Sequence, residues 1–151
     1  MYRTVFAFLV LALAAAVATP RRGCSTPLSV EEFEDLYCNS TLVFKGRRTY
    51  SSSSVSRDRI GRWIIFGYSD FDADQVFKGS PEDPHDISVD RIWSQAEHRG
   101  QCRRHAFPDR ADTFLVFASG TGPYQVETCR HSFPWDNCVP ESFKSSLPLD
   151  C

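Results

Sequence analysis

The chain has 151 residues and nearly balanced charge, with 17 lysines and arginines against 19 aspartates and glutamates. Its arginines are interleaved with acids, which is typical of a solvated surface and excludes the basic footprint of a nucleic-acid-binding protein. Once a leader is set aside, roughly 130 residues remain, which is enough for one domain with its own core.

The first predicted element is a secretory signal peptide over residues 1–18. Arg3 supplies a basic start, and the apolar run of residues 5–18 is too short to span a membrane. Ala16 and Ala18 form the small-x-small pattern that signal peptidase recognises. We therefore expect a secreted, extracellular protein whose mature domain covers residues 19–151, without a membrane span.

Six cysteines follow the leader. An even number in an oxidising compartment predicts three disulfides, and the sequence alone leaves their pairing open. No two of them have the C-x-x-C spacing of a zinc or redox site. The cysteines are Cys24, Cys38, Cys102, Cys129, Cys138 and Cys151.

The next predicted element is a helix from about Val30 to Tyr37 or Cys38. Ser29 and Glu32 form a capping box, and Leu28 and Phe33 occupy the positions of a hydrophobic staple. Apolar residues then recur at helical spacing, so one face should be buried. The helix leads into Asn39-Ser40-Thr41, an acceptor sequence that makes Asn39 a candidate glycosylation site.

Five segments rich in β-branched and aromatic residues then predict strands. The second is long, so we expect a bulge or bend at Gly67 or at Ser69–Asp70. The polar stretch "TYSSSSVSRD" between the first two strands should be a loop, and Val139, Phe143 and Leu147 are spaced for a short final helix with Pro140 in its first turn. The strands are "TLVFKGRR", "RWIIFGYSDFDADQVFKG", "DISVDRIW", "DTFLVFASG" and "YQVETCRHSF". This order favours a mainly β fold, a barrel or a sandwich, with a helix at each end.

Three acids at alternating positions, Asp70, Asp72 and Asp74, suggest a calcium loop at first sight. Such a loop needs glycine at its sixth position and glutamate at its twelfth, where this chain has Gln75 and Pro81. A solvated strand face is the better interpretation.

An enzyme and a lipocalin are weaker interpretations. The four histidines are His85, His98, His105 and His131, and none lies in a metal-ligand or nucleophile motif. Gly61-Arg62-Trp63 is similar to the G-x-W of lipocalins, but it follows a helix and a strand instead of opening the first strand. We therefore expect neither catalysis nor a bound cofactor.

Taken in order, several segments resemble the N-terminal, netrin-like (NTR) domain of the tissue inhibitors of metalloproteinases. They are "LYCNS", "QVFKGSPEDPHDISV", the pair "DTFLVFASG" and "YQVETCRHSFPWD", the central Cys102 and the closing Cys151. The resemblance covers essentially the whole mature chain. It implies an OB-like five-stranded closed barrel with flanking short helices, linked by disulfides.

The resemblance also implies a mechanism of inhibition. In that family the first cysteine binds the catalytic zinc of the protease with its free α-amino nitrogen and its carbonyl oxygen. Carried over, Cys24 is the ligand of the partner's zinc and Ser25 enters the substrate pocket. The implied contact residues are Cys24, Ser25, Thr26, Pro27, Gly100, Gln101 and Cys102.

The family opens with C-x-C, whereas this chain has Cys24-Ser25-Thr26. The resemblance therefore implies the disulfides Cys24–Cys102, Cys38–Cys151 and Cys129–Cys138. A second register, with Cys24–Cys129 and Cys102–Cys138, stays open.

Residues 19–23 stand between the expected cleavage point and Cys24, where they would turn the ligand amine into an amide. Two functions therefore remain open. The protein is a secreted inhibitor of zinc metalloproteinases, or it is a netrin-like module that has lost zinc chelation and binds another extracellular protein.

Overall fold

The computed structural model describes Cys24 and residues 27–94, 113–126 and 132–151. In this part of the chain a mainly β fold carries short helices near both of its ends. The elements in chain order are α1 (Val30–Asn39), β1 (Leu42–Arg57), β2 (Trp63–Lys78), β3 (Ile87–Ser94), β4 (Phe114–Ala118), β5 (Tyr124–Val126), β6 (Ser132–Pro134), α2 (Trp135–Cys138) and α3 (Glu141–Ser146).

The six strands form one sheet in the order β5-β3-β2-β1-β4-β6. All neighbours are antiparallel except β3 and β5, which run parallel. The sheet is not closed, so the described residues do not show the predicted five-stranded closed barrel. The segment predicted as one last strand is divided between β5 and β6, at opposite edges of the sheet. A single antiparallel bridge between Ser119 and Gln125 joins the end of β4 to β5.

Two hydrophobic clusters lie on the two sides of β4. The inner cluster is enclosed by β1 to β5, and the helix-side cluster packs between the sheet and the helices α1 and α3. Alternate residues of β4 face each cluster, which explains why all five are buried. The inner cluster contains Leu42, Phe44, Phe71, Ala73, Ile87, Val89, Phe114, Val116, Ala118 and Val126. The helix-side cluster contains Phe33, Tyr37, Val43, Leu115, Phe117, Phe133, Val139 and Phe143.

The capping box of α1 forms as predicted. The backbone N–H of Glu32 donates to the Ser29 hydroxyl at 3.2 Å, and the N–H of Ser29 donates to the Glu32 carboxylate at 2.8 Å. Both contacts satisfy N–H groups that have no partner inside the helix. The staple residue Leu28 packs on the helix-side cluster, which also contains Phe33. The direction in which the chain enters α1 is therefore fixed from Leu28 onwards.

The final helix is also close to its prediction. Pro140 stands directly before α3, Phe143 is fully buried, and its ring lies 5.1 Å from that of Phe33. Val139 and Leu147 flank the helix and pack on the same cluster. None of the helices in the described part of the chain is long and apolar enough to cross a membrane.

The prediction of a polar loop between the first two strands was wrong. Residues 50–57 instead continue β1 as its outer half. They pair regularly with residues 63–70 of β2, from Tyr50 opposite Asp70 to Arg57 opposite Trp63. Serine favours strands weakly, but the aromatic and β-branched residues of β2 provide a partner strand that compensates for this. The turn between the strands is held by the Asp58 carboxylate, which accepts from the N–H groups of Ile60 and Arg62.

The β1–β2 ladder has three register shifts, and the one nearest the predicted Ser69–Asp70 position has its extra residue on β1. Arg48 is opposite Phe71 and Tyr50 is opposite Asp70, so Thr49 is the extra residue of a bulge. Gly67, the other predicted position, pairs regularly with Ser53. The bulge lies near Ser69–Asp70, where it separates the part of the hairpin that borders the inner cluster from the part that extends beyond it.

Candidate functional site

Cys24 forms a disulfide with Cys138, the last residue of α2, and their Cα atoms are 5.2 Å apart. This corrects the implied pairs Cys24–Cys102 and Cys129–Cys138, and it also excludes the second register. The reason lies in the packing. Because α2 follows β6 directly, Cys138 packs on the helix-side cluster, as do Leu28 and Val30 at the start of α1. The two cysteines therefore meet at the edge of one layer.

The position of α2 is set by Trp135. Its backbone N–H donates to the carbonyl of Thr113 at 3.0 Å, and its ring stacks on that of Phe77 with 6.0 Å between the centroids. The ammonium groups of Lys45 and Lys144 lie 5.1 and 5.0 Å from the centre of the indole ring, which is the distance of cation–π contacts. Contacts from three other elements thus hold the short helix to which Cys24 is bonded.

The structure places only part of the implied inhibitory surface. Cys24 is half-buried, and Pro27 is exposed two residues before the capping residue of α1. Ser25, Thr26, Gly100, Gln101, Cys102 and Cys129 lie outside the described residues. The described part of the surface is therefore a half-buried cysteine tied to α2, followed by an exposed proline that leads into a capped helix.

The second disulfide joins Cys38 to Cys151, the pair that the resemblance implied, with 5.7 Å between their Cα atoms. It fixes the last turn of α1 to the last residue of the chain. Lys78 caps the same turn, because its ammonium group donates to the carbonyls of Tyr37 and Cys38 at 2.9 and 3.0 Å. The Tyr37 hydroxyl donates to the carbonyl of Phe77 at 2.9 Å, which ties α1 to β2.

The candidate glycosylation site is at the surface. Asn39 is the exposed last residue of α1, and its amide nitrogen donates to the carbonyl of Asp35 at 2.9 Å. Ser40 is buried and donates to the carbonyl of Leu36 at 2.7 Å. An N-linked glycan on Asn39 would therefore project from the end of α1.

The acids of β2 lie largely as the strand interpretation expected. Asp70 and Asp72 point away from the inner cluster, whereas Asp74 falls at an irregularity of the ladder. Asp72 accepts from Arg47 at 3.0 Å and contacts the His85 ring at 2.8 Å. The hydrogen bond from His85, with a further one from Arg47, lowers the pKa of the Asp72 carboxyl, and the bond to Asp72 raises the pKa of His85. The other three histidines lie outside the described residues.

A second surface was missed in the sequence. We call it the outer face. It is the side of β1, β2 and β3 that is turned away from the inner cluster, in the part of the sheet between the Thr49 bulge and the β1–β2 turn. It carries two exposed rings of β2, Phe66 and Tyr68, which are 40% and 39% exposed. The ring of Tyr50 lies 5.3 Å from that of Tyr68, and its hydrogen bond, together with the negative charge of Asp70, raises the pKa of Tyr68. The spacing of Phe66 and Tyr68 is visible in the sequence, but the residues opposite them become known only with the register.

No model of a known protein family matches this chain. A comparison with curated proteins likewise gives no match.

Proposed function

We propose that the protein is a secreted inhibitor of zinc metalloproteinases that acts through a mature N-terminus at Cys24. The observation that supports this most is the disulfide between Cys24 and Cys138 on the packed helix α2. A chain beginning at Cys24 would have its first residue held in place before it meets a partner. Because binding then orders little additional chain, less conformational entropy is lost.

The chemistry follows from the type of nitrogen at Cys24. An α-amine has a pKa of about 8 and can offer a neutral lone pair near physiological pH, whereas the lone pair of an amide is delocalised into its carbonyl. The amine and the carbonyl oxygen of Cys24 would occupy the position at which the protease zinc otherwise activates water. The zinc belongs to the protease, and this chain supplies only the ligands.

The neighbouring residues would form the rest of the contact. In this proposal the small Ser25 side chain enters the substrate pocket, and Thr26 and Pro27 form a ridge beside it. Gly100 and Gln101 remain proposed contacts from a second segment. Since the bond of Cys24 is to Cys138 and not to Cys102, the rigid support would come from α2 and the helix-side cluster.

We also infer that the sheet is a partly open, OB-like barrel. The parallel pairing of β3 with β5 supports this. β5 follows β4 in the chain but pairs at the opposite edge of the sheet, so the segment between them brings the two sides of the sheet together. The two backbone hydrogen bonds between Ser119 and Gln125, at 2.9 and 2.8 Å, support it further. The inner cluster draws side chains from β1 through β5, as the interior of such a barrel would.

A second candidate function is a netrin-like binding module without zinc chelation. The exposed rings of the outer face favour it, because exposed aromatic groups beside polar ones are frequent at protein interfaces. In this case residues 19–23 would remain ahead of Cys24, and the partner would be an extracellular protein of another kind.

The deciding experiment compares two purified forms of the oxidised protein, one beginning at Cys24 and one beginning at Gly23. Each is titrated against several matrix-type zinc metalloproteinases up to micromolar concentration. We expect stoichiometric inhibition by the Cys24 form and none by the Gly23 form, whose first cysteine carries an amide nitrogen. Failure of both forms would contradict the inhibitor proposal and favour the binding module. Equal inhibition by both forms would refute the role of the amine.

A further inference from the structure

An open pocket of about 280 Å³ lies on the outer face, and its described lining contains no residue of the Cys24 site. Strand pairing explains how it forms. Residues directly opposite each other on antiparallel strands point to the same side of the sheet. Ser54 is opposite Phe66, and Ser52 is opposite Tyr68, so two hydroxyls face two aromatic rings.

The row through Tyr68 continues across the sheet. Tyr68 is opposite Asp90 on β3, and Asp90 is aligned with Gln125 on the parallel strand β5. Neighbouring strands lie about 4.8 Å apart, so a phenol ring, a carboxylate and an amide follow one another at regular intervals. All three line the pocket, with Phe66 beside them.

The charge of the pocket is negative and uncompensated within the described chain. Asp90 is half-buried, and the described residues provide it with no ion pair or side-chain hydrogen bond. The described lining contains no lysine or arginine. Arg47, further along the same face, is already paired with Asp72 at 3.0 Å. A half-buried carboxylate without a partner favours a cationic ligand, and it repels phosphate and sulfate groups.

The aromatic rings of Phe66 and Tyr68 indicate which cationic group fits the pocket. Aromatic faces attract a cation placed over them, and arginine is found there more often than lysine because its planar group can stack on a ring. The same planar group can donate two parallel hydrogen bonds to one carboxylate. The pocket is smaller than the roughly 300–1,000 Å³ of pockets for drug-sized ligands, so its size suits one side chain.

We propose that this pocket binds the side chain of an arginine presented by an extracellular partner protein. The guanidinium group pairs with Asp90 and stacks against Tyr68 or Phe66. The Ser52 and Ser54 hydroxyls and the Gln125 amide are placed to bond the partner's backbone. Because the described lining of the pocket is separate from the Cys24 site, the pocket operates whether or not the protein inhibits metalloproteinases.

The test is an NMR titration of the full secreted protein with Nα-acetyl-arginine amide. The comparison ligands are the lysine analogue, the uncharged citrulline analogue and a methyl glycoside. We expect the arginine ligand to shift signals of Phe66, Tyr68, Asp90 and Gln125 and to bind most tightly, and citrulline to have no effect. Tighter binding of citrulline or of the glycoside would overturn the proposal, and so would absence of any shift at millimolar ligand.

Two variants and a control locate the interaction. Asp90→Asn should weaken arginine binding about tenfold or more, because a charge-assisted hydrogen bond is lost. Ser52→Arg changes an exposed position of the lining and should abolish binding, since it puts a competing cation into the pocket. Asp74→Asn removes an exposed carboxylate of β2, the strand that carries Phe66 and Tyr68, at a position outside the pocket, and should leave binding unchanged. Unchanged affinity in a folded Ser52→Arg protein would refute the site even if Asp90→Asn failed to fold.

Discussion

Phe33 packs α1 against the sheet, and its loss should reduce stability strongly. Its side chain is 0% exposed, and its ring lies 4.8 Å from Phe133, 5.1 Å from Phe143 and 6.2 Å from Phe117. Phe33→Ala would leave a cavity between the sheet and α3 that neither side can fill easily. Buried Phe→Ala changes cost about 3–5 kcal/mol, and three ring contacts place this one near the upper end, at about 4–5 kcal/mol.

Urea unfolding of the oxidised protein, followed by tryptophan fluorescence, measures this loss. The matched control is Glu34→Ala, which changes the next, exposed residue of the same helix and should cost less than about 0.5 kcal/mol. Phe33→Leu keeps most of the volume and should cost about 1–2 kcal/mol, so it stays measurable if the alanine variant does not fold. A loss below about 2 kcal/mol in Phe33→Ala would refute the docking of α1 on the sheet.

Three further predictions concern a turn, an ion pair and a disulfide. Gly79→Ala should cost more free energy of unfolding than Gly61→Ala. Both glycines have positive φ, 83° and 81°, but of the two only Gly79 would place a Cβ against a carbonyl oxygen, 2.5 Å away. Equal losses in the two variants would contradict this. NMR titration should show that the pKa of His85 is raised, and Asp72→Asn should lower it. The stabilisation of the fold by this ion pair is complete below the ordinary histidine pKa of about 6.5 and is lost as pH rises through the raised value. A His85 pKa that does not change in Asp72→Asn would refute the pair. Replacing Cys38 and Cys151 by serine should lower stability by about 4–5 kcal/mol in the loop-entropy model, with unchanged urea unfolding as the contrary result.

Local signals in the sequence were sufficient for α1 and for most strand positions. The capping box and the staple act within a few residues, so they could be recognised before any packing was known. The outer half of β1 could not be predicted in this way. Its run of serines has weak strand propensity, and its conformation depends on pairing with the aromatic residues of β2.

The partner of Cys24 could not be predicted from the spacing of the cysteines in the sequence. Cys24 and Cys138 are 114 positions apart, and they meet because β6 and α2 return the chain to the layer in which α1 begins. A resemblance with one cysteine missing from its pattern suggested other partners. Cys24, Cys38, Cys138 and Cys151 are joined in pairs, whereas Cys102 and Cys129 lie outside the described residues.

The pocket of the outer face shows the same limit. Phe66 and Tyr68 alternate along one strand, which the sequence displays. Asp90 and Gln125 join them only through the register of β2 with β3 and of β3 with β5. The composition of the pocket was therefore not accessible before the sheet order was known.

The most direct test of the inhibitor proposal uses the α-amine of Cys24 itself. The form that begins at Cys24 is titrated against a zinc metalloproteinase before and after N-terminal acetylation. Near neutral pH the reagent favours the α-amine, whose pKa is about 8, over lysine, whose pKa is about 10.4. We expect stoichiometric inhibition by the free amine and its loss on acetylation, with the Cys24–Cys138 and Cys38–Cys151 disulfides intact. Undiminished inhibition by the acetylated protein would contradict the proposal that this nitrogen binds the zinc.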